Sequence, residues 1–300
     1  MPRAVVTGAA GFTGFSVTRE LLSRNYEVFA ILKPGSSHNS RIGYLNGSIH
    51  PIELDCSDYY GIPDLVRKEC DVFINLAWFG GKDDFDVQRM NIDHCIMSVK
   101  SASELHCRRY IGIGSQAEYG SVNSIQTENL SPCPITAYGA AKVAAMFFSK
   151  ILAEQLGIEW IWGRIFSLYG DYEPKGRMLP DLIRKMTTGE DIILTSCEQN
   201  WDYLHVQDAA CAIADLAEKG TSGEIYNIAH GDYKKLREFT EIVRRLLNYK
   251  GDINYGADPF PFITLQPDVT KLKLHTGWKP TVSFDDGVLK YFEENKNDWS

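Results

Sequence analysis

Residues 5–14 read VVTGAAGFTG and decide the fold of this 300-residue chain. An apolar run ends here, three glycines follow at intervals of three, and an amphipathic stretch begins. In such a turn the first glycine permits a tight bend, the second lets the backbone approach a pyrophosphate, and the third lets the helix pack on the strand. The helix N-terminus then presents free amides to the phosphates. The predicted phosphate-binding residues are Gly8, Gly11, Phe12, Thr13 and Gly14.

Short apolar runs alternate with longer amphipathic stretches up to about residue 170. Uninterrupted apolar runs are typical of parallel strands buried on both faces. The alternation therefore predicts an α/β fold with a Rossmann-type, doubly wound parallel sheet. We expect strands at 3–7, 27–32, 49–54, 71–76, 107–113 and 158–165, and helices at 12–24, 58–68, 86–105 and 136–156.

The rhythm changes after about Tyr169, where the segments become shorter and less regular. We therefore predict a dinucleotide-binding domain at 1–170 and, at 171–300, mainly a smaller α/β lobe that binds substrate. A helix near 206–219 is expected to pack back on the main sheet.

Composition excludes several classes of protein. The net charge of −8 argues against nucleic-acid binding through a basic surface. No apolar run approaches the ~20 residues of a membrane span. The seven cysteines are odd in number and lack paired spacing, and no His, Cys and Asp cluster has metal-ligand spacing. We expect a cytoplasmic protein that binds neither metal, membrane nor nucleic acid.

Three side chains form a candidate catalytic set. Tyr138 and Lys142 are four residues apart, which places both on one face of a helix. A free tyrosine has a pKa near ~10, and a neighbouring ammonium lowers it towards the range useful for proton transfer. Ser115 ends the fifth predicted strand, where its hydroxyl is able to donate to a substrate carbonyl. The alternatives are a surface helix pair and a turn serine, but the upstream glycine turn favours catalysis.

Taken in order, these motifs resemble the extended short-chain dehydrogenase/reductase family of NAD(P)-dependent nucleotide-sugar epimerases, dehydratases and reductases. Residues 201–208, WDYLHVQD, are similar to the family's "RDfihVxD", and residues 277–280, GWKP, to its "LGWxP". The resemblance implies Ser115, Tyr138 and Lys142 as catalytic residues. It also implies cofactor contacts from Asp55, Cys56, Leu76, Ala77, Tyr138 and Lys142.

The choice between NAD and NADP depends on the residue that follows the second strand. An acidic residue there accepts from the ribose 2′-hydroxyl, whereas a basic one tolerates the 2′-phosphate. This chain has Lys33 and no acid. We therefore expect NADP(H) rather than NAD(H), the alternative being that Lys33 is a solvated loop residue.

Substrate contacts are expected from the second lobe and its neighbours. The resemblance implies a nucleoside-diphosphate sugar as the partner. Arg164 begins a segment similar to the family's "RxxNxYG", in which Ser167 replaces the usual asparagine. Arg177 is a candidate for the diphosphate, and Trp201 for stacking on a base. The candidate substrate residues are Trp78, Arg164, Ser167, Arg177 and Trp201.

The residues after Ser115 bear on the reaction. The resemblance implies that 4,6-dehydratases have carboxylates there, whereas this chain has Gln116 and Ala117. The leading hypothesis is therefore reduction of a nucleoside-diphosphate 4-keto-6-deoxyhexose. The alternatives are an NAD-dependent 4-epimerase and a non-catalytic NADP-binding sensor or scaffold. The resemblance also implies a homodimer through the helices near 86–105 and 136–156.

Overall fold

A computed structural model describes residues 1–256, 258 and 262–296. The strands are β1 Arg3–Thr7, β2 Glu27–Leu32, β3 Ile49–Glu53, β4 Val72–Asn75, β5 Arg109–Ser115, β6 Glu159–Ile165, β7 Ser167–Tyr169, β8 Ile192–Leu194, β9 Asn200–Trp201, β10 Tyr203–His205, β11 Ile225–Ile228, β12 Lys234–Lys235 and β13 Ile253–Tyr255. The α-helices are α1 Phe12–Ser23, α2 Ile62–Val66, α3 Phe85–Glu104, α4 Ala137–Leu156, α5 Met178–Thr188, α6 Val206–Lys219, α7 Leu236–Leu246, α8 Thr270–Thr276 and α9 Phe284–Asn295.

The central sheet has seven parallel strands in the order β11-β6-β5-β4-β1-β2-β3. Its inner strands are apolar because helices cover both faces, and all six residues of β2 are buried. The chain leaves β1 in one direction for β2 and later returns to the other side of β1 with β4. Such a reversal opens a crevice at the carboxyl ends of the strands, where ligands bind in open α/β sheets. The predicted fold class is confirmed.

Two helical layers enclose the sheet. One apolar core joins β1 and β2 to residues of α1, α6 and α8. The second core lies on the opposite face and includes residues of α2, α3 and α4. α6 packs against α1 although the two helices are far apart in sequence.

A third core belongs to the second lobe. Aromatic rings hold it together: Tyr203 of β10 packs edge-on against Phe239 of α7 at 5.1 Å, and Phe284 of α9 lies 4.7 Å from Phe239. This lobe does not begin cleanly at residue 171, because β11 at Ile225–Ile228 pairs with β6 and completes the sheet. The proposed division at 170/171 therefore leaves part of the Rossmann sheet in the second segment.

The expected helix at 58–68 is the largest difference in the first half. Its start forms a 3-10 segment, Cys56–Gly61, and only Ile62–Val66 is α-helical. Arg67 ends the helix in the left-handed region, with φ 52°. No helix within the described ranges is long and apolar enough to cross a membrane. The cytoplasmic location stays a prediction.

Candidate active site

The glycine turn has the geometry that a pyrophosphate requires. Gly8 adopts φ +67°, a conformation that L side chains rarely take. A Cβ at Gly14 would lie 2.0 Å from the Gly8 carbonyl oxygen, so only glycine lets α1 approach the turn this closely. The Thr7 hydroxyl ties the two central strands together, donating to Asn75 Oδ1 at 2.6 Å and accepting from the amides of Leu76 and Ala77. The cradle therefore fits a dinucleotide pyrophosphate.

A cleft of about 710 Å³ extends from this turn across the carboxyl ends of the strands to the second lobe. Its size is within the range of small-molecule sites. Most of the predicted site residues line it: Gly8, Gly11, Phe12, Thr13, Gly14, Leu76, Ala77, Trp78, Ser115, Tyr138, Lys142, Ser167, Arg177 and Trp201. Lys33, Asp55, Cys56 and Arg164 do not. The structure thus brings together the candidate catalytic set and the candidate phosphate-binding turn.

Local packing positions the catalytic candidates. Thr136 caps α4 by accepting from the Gly139 amide at 3.1 Å, which orients the helix turn that carries Tyr138. A Cβ on Gly139 would lie 2.5 Å from the Ala117 carbonyl oxygen, so this helix approaches the turn after Ser115 unusually closely. The Ser115 hydroxyl accepts from the Ala117 amide at 3.2 Å and lies close enough to the Tyr138 phenol to lower its pKa.

Lys142 is fully buried beneath Tyr138. Its ammonium donates to the Ile113 carbonyl at 2.6 Å and lies 3.6 Å from the centre of the Trp78 ring. Burial lowers the pKa of Lys142 to about 7, because desolvation disfavours the charged form. Burial also raises the pKa of Tyr138, and the neighbouring Ser115 hydroxyl opposes that shift. We expected Lys142 to lower the pKa of Tyr138, but in the protein without a bound cofactor the effect of burial is the largest and raises that pKa.

Arg164 lies below the floor of the cleft. It donates to Glu118 Oε2 at 2.7 Å, and both side chains are about 1% exposed or less. The other Glu118 oxygen accepts from the Ser115 amide at 2.9 Å and from Trp162 Nε1 at 3.0 Å. Glu118 is therefore occupied as a structural acceptor that holds the Ser115 turn. The substrate contact expected from Arg164 is not supported by this position.

The loop after β2 carries Lys33, whose role in cofactor binding stays a prediction. The Lys33 side chain is exposed and forms no hydrogen bond or ion pair within the described part of the chain, whereas its carbonyl accepts from Asn39 Nδ2. Glu53, at the end of β3, has its carboxylate in this loop, accepting from Asn39 at 3.0 Å and from the Gly35 amide at 3.4 Å. A carboxylate here would repel a 2′-phosphate. An acidic side chain therefore contacts this loop from the neighbouring strand β3 rather than from the end of β2.

Asp55 and Cys56 lie outside the cleft, where β3 ends. The Asp55 carboxylate accepts from the amide and hydroxyl of Ser57 at 3.1 and 3.0 Å, and these bonds lower its pKa. The Cys56 thiol is half-buried, and burial raises its pKa to about 11, so it stays protonated at neutral pH. Neither geometry bears on a contact with adenine, which stays a prediction.

The substrate half of the cleft contains two charged residues that sequence reasoning missed. Lys82 lies in the loop before α3, and its carbonyl accepts from the Tyr138 amide at 3.0 Å. Glu173 lies three residues after Gly170, in the loop between β7 and α5, and is 9% exposed. Both line the cleft together with Arg177, whose guanidinium lies 5.7 Å from the Phe12 ring centre. No local motif marks either residue, because the chain folds back to place them here.

The chain matches one family model, described as the NAD dependent epimerase/dehydratase family, over residues 4–229. The chain belongs to this family. The homologues of this chain are nucleotide-sugar enzymes of the extended short-chain dehydrogenase/reductase type. This protein is accordingly an NAD(P)-dependent enzyme of that type. The expected family and enzyme class are confirmed.

Similar proteins span several reactions. The chain is 29% identical to the dTDP-6-deoxy-L-talose 4-dehydrogenase (NAD(+)) of Aggregatibacter actinomycetemcomitans, covering 85% of this chain and 94% of the relative. It is 25% identical to the dTDP-4-dehydro-6-deoxyglucose reductase of Escherichia coli, with 95% of each chain covered. Among solved structures, a point mutant of UDP-glucuronic acid 4-epimerase from Bacillus cereus, in complex with a fluorinated UDP-sugar and NAD, superposes with a TM-score of 0.88, at 21% identity over 98% of this chain and 99% of that one.

Proposed function

We propose that the protein oxidises or reduces C4 of a nucleoside-diphosphate sugar without eliminating water, and that its main reaction is reduction of a 4-keto-6-deoxyhexose. The observation that carries this proposal is the pairing of Ser115, Tyr138 and Lys142 in the cleft with Gln116 and Ala117 at the next two positions. Gln116 and Ala117 carry no group that titrates near neutral pH. Glu118, the nearest carboxylate in the sequence, is held under the floor of the cleft by Ser115, Trp162 and Arg164, so the turn after Ser115 presents no carboxylate at the position where a dehydratase has one.

In this mechanism Tyr138 delivers a proton to the C4 carbonyl oxygen of the sugar. The Ser115 hydroxyl, which lies beside the phenol in the cleft, donates to the same oxygen and orients it. The Lys142 ammonium stabilises the phenolate that remains. The glycine turn and the helix it opens hold the pyrophosphate of the dinucleotide, whose nicotinamide supplies the redox chemistry when bound. Arg177 neutralises charge in the substrate half of the cleft.

We infer that NAD(H), rather than the NADP(H) expected from Lys33, is the cofactor. Two observations support this: the Glu53 carboxylate closes the loop after β2, and the Lys33 side chain is solvated. A relative whose name includes NAD(+) is 29% identical over most of the chain. Glu53→Gln removes the repulsive charge and should improve NADPH affinity several-fold relative to NADH, whereas Glu69→Gln, on an exposed loop, should change neither.

A 4-epimerase is the second candidate, because the NAD-type site suits an enzyme that retains its cofactor. It would use the same Ser115, Tyr138 and Lys142 but transfer hydride twice. The superposition with a 4-epimerase that contains NAD is compatible with this reaction and shows the fold alone.

The deciding experiment begins with the dinucleotide carried by the purified protein, released by denaturation and identified by mass spectrometry. Near-stoichiometric NAD, with interconversion of UDP-sugars and no net oxidation, identifies the epimerase. An exchangeable cofactor and NADH consumption with dTDP-, UDP- or CDP-4-keto-6-deoxyhexoses identify the reductase. Tyr138→Phe should abolish turnover and spare cofactor binding. Tyr60→Phe, on an exposed tyrosine remote from the cleft, is the matched control. Turnover by Tyr138→Phe contradicts the assignment of the proton donor.

We also propose a homodimer through α3 and α4. Their outer faces expose Phe85, Met90, Phe147, Phe148, Ile151 and Leu156. An apolar surface of this kind is typical of a protein interface.

A further inference from the structure

Glu173 occupies an unusual position in the wall of the cleft. It lies in the loop between β7 and α5, four residues before Arg177. Its side chain lines the main cleft on one side and a second cavity of about 520 Å³ on the other. The residue is only 9% exposed, and its Oε2 atom has no hydrogen-bond partner within the described part of the chain. Leaving a buried polar group unsatisfied costs about 1–3 kcal/mol, more if it is charged.

The charged groups around Glu173 show how it is balanced. Arg19 of α1 and Lys290 of α9 both approach the Asp171 carboxylate, at 3.6 and 2.9 Å, so their charges are already compensated. Arg177 forms no ion pair within the described residues, and it lies close enough to Glu173 and Tyr138 to lower the pKa of each. The other titratable groups that line the two cavities beside Glu173 or act on it electrostatically are Lys82, Lys142, Tyr44, Tyr169, Tyr172, Tyr203, Tyr291 and Glu294.

Burial dominates this balance. It raises the pKa of Glu173 to about 7, against the opposing effects of Arg177 and of the nearby Gly170 backbone. An anion bound to Arg177 would cancel the charge that favours the carboxylate and would add a repulsive one. Both effects favour the protonated carboxyl group, which then has an O–H to donate.

We propose that Glu173 and Arg177 form a diphosphate clamp in which Arg177 pairs with the anion and Glu173, taking one proton from solvent, donates a hydrogen bond to a phosphate oxygen. The proposal rests on the function proposed above, and it assigns a role to a residue that the C4 chemistry does not use. The ligand chemistry is a diphosphate ester. Two sources have it, the nucleotide sugar and the dinucleotide, since Arg177 lies between Phe12 of the glycine turn and Tyr138.

Proton uptake on ligand binding distinguishes this clamp from a Glu173 that lines the cleft without changing its protonation state. Isothermal titration calorimetry at pH 8, in two buffers with different ionisation enthalpies, counts the protons bound with each ligand. One arm titrates UDP, dTDP, CDP and GDP into the protein with its cofactor, and the other titrates NADH into cofactor-free protein. We expect uptake approaching about one proton per diphosphate at pH 8, little uptake at pH 6, and affinity that falls up to about tenfold per pH unit above neutrality. The arm in which uptake occurs identifies the source.

Glu173→Gln keeps the shape and a hydrogen-bond donor but cannot titrate, so uptake should vanish while binding remains. Glu294→Gln, which lines only the second cavity, should keep the uptake. Arg177→Met should weaken binding about tenfold or more and reduce uptake, because Glu173 is then protonated before the ligand arrives. Binding without uptake, uptake that persists in Glu173→Gln, or affinity that rises with pH overturns the clamp and leaves the proposed function standing. Absence of binding by every nucleotide tested overturns both.

Discussion

Replacing Arg164 by methionine tests whether this residue binds substrate or supports the site from below. Arg164 and Glu118 are both fully buried, and Arg164→Met leaves the Glu118 carboxylate without its countercharge. Removing one partner of a buried ion pair costs about 3–5 kcal/mol. Two other donors, the Ser115 amide and Trp162 Nε1, continue to hold Glu118, so we expect the lower end of that range. The loss should appear as a lower urea midpoint, measured by tryptophan fluorescence.

Two matched variants sharpen this test. Arg108→Met removes an exposed arginine from the surface pair with Glu159, which is worth about 0–1 kcal/mol. The double variant Glu118→Gln/Arg164→Met should be more stable than Arg164→Met alone, because glutamine still accepts from Ser115 and Trp162 without a buried charge. An Arg164→Met protein as stable as Arg108→Met, with a substrate KM raised tenfold, would refute the reasoning and restore Arg164 to the substrate site.

Three further predictions concern the site and its assembly. Gly14→Ala should abolish NADH binding, measured by fluorescence titration, because its Cβ would lie 2.0 Å from the Gly8 carbonyl oxygen; Gly43→Ala, in open space, should not. Lys142→Met should inactivate the enzyme yet stabilise the fold. Since burial lowers the pKa of Lys142 to about 7, that gain is full below pH 7 and fades by at most about 1.4 kcal/mol per pH unit towards pH 10 in urea titrations. Phe148→Glu should convert a dimer to a monomer in light scattering, and a wild-type monomer would contradict the interface.

The pattern of apolar runs, together with the glycines that end them, predicted most of the strands of the central sheet. The strand starting at Arg3 and the helix starting at Phe12 follow from an apolar run that ends in spaced glycines, whose local demands are strong. The helix expected at 58–68 was mostly wrong because a 3-10 segment and the left-handed Arg67 compete locally with its apolar spacing. That β11 joins β6 could not be predicted, since pairing between distant strands leaves no local signal.

In the candidate site, too, the residues marked by local spacing could be predicted, whereas those placed by contacts between distant segments could not. Ser115, Tyr138 and Lys142 are marked by spacing within single elements, and the structure brings them into one cleft. The position of Glu53 depends on the register between β2 and β3, which pairs it with Leu32. Arg164 is kept out of the cleft by its ion pair with Glu118, a contact between distant parts of the chain that leaves no local signal in the sequence.

The position of β11 and α6 affects how the chain folds during synthesis. When residue 170 leaves the ribosome, β6 still lacks one neighbour and the outer face of α1 is uncovered. Residues 1–170 therefore emerge with an open strand edge and an apolar helix face. Both surfaces favour aggregation until about sixty more residues have been translated. A stop codon introduced after residue 170 should yield insoluble protein, whereas a deletion beginning in the last helix leaves the nucleotide-binding half complete.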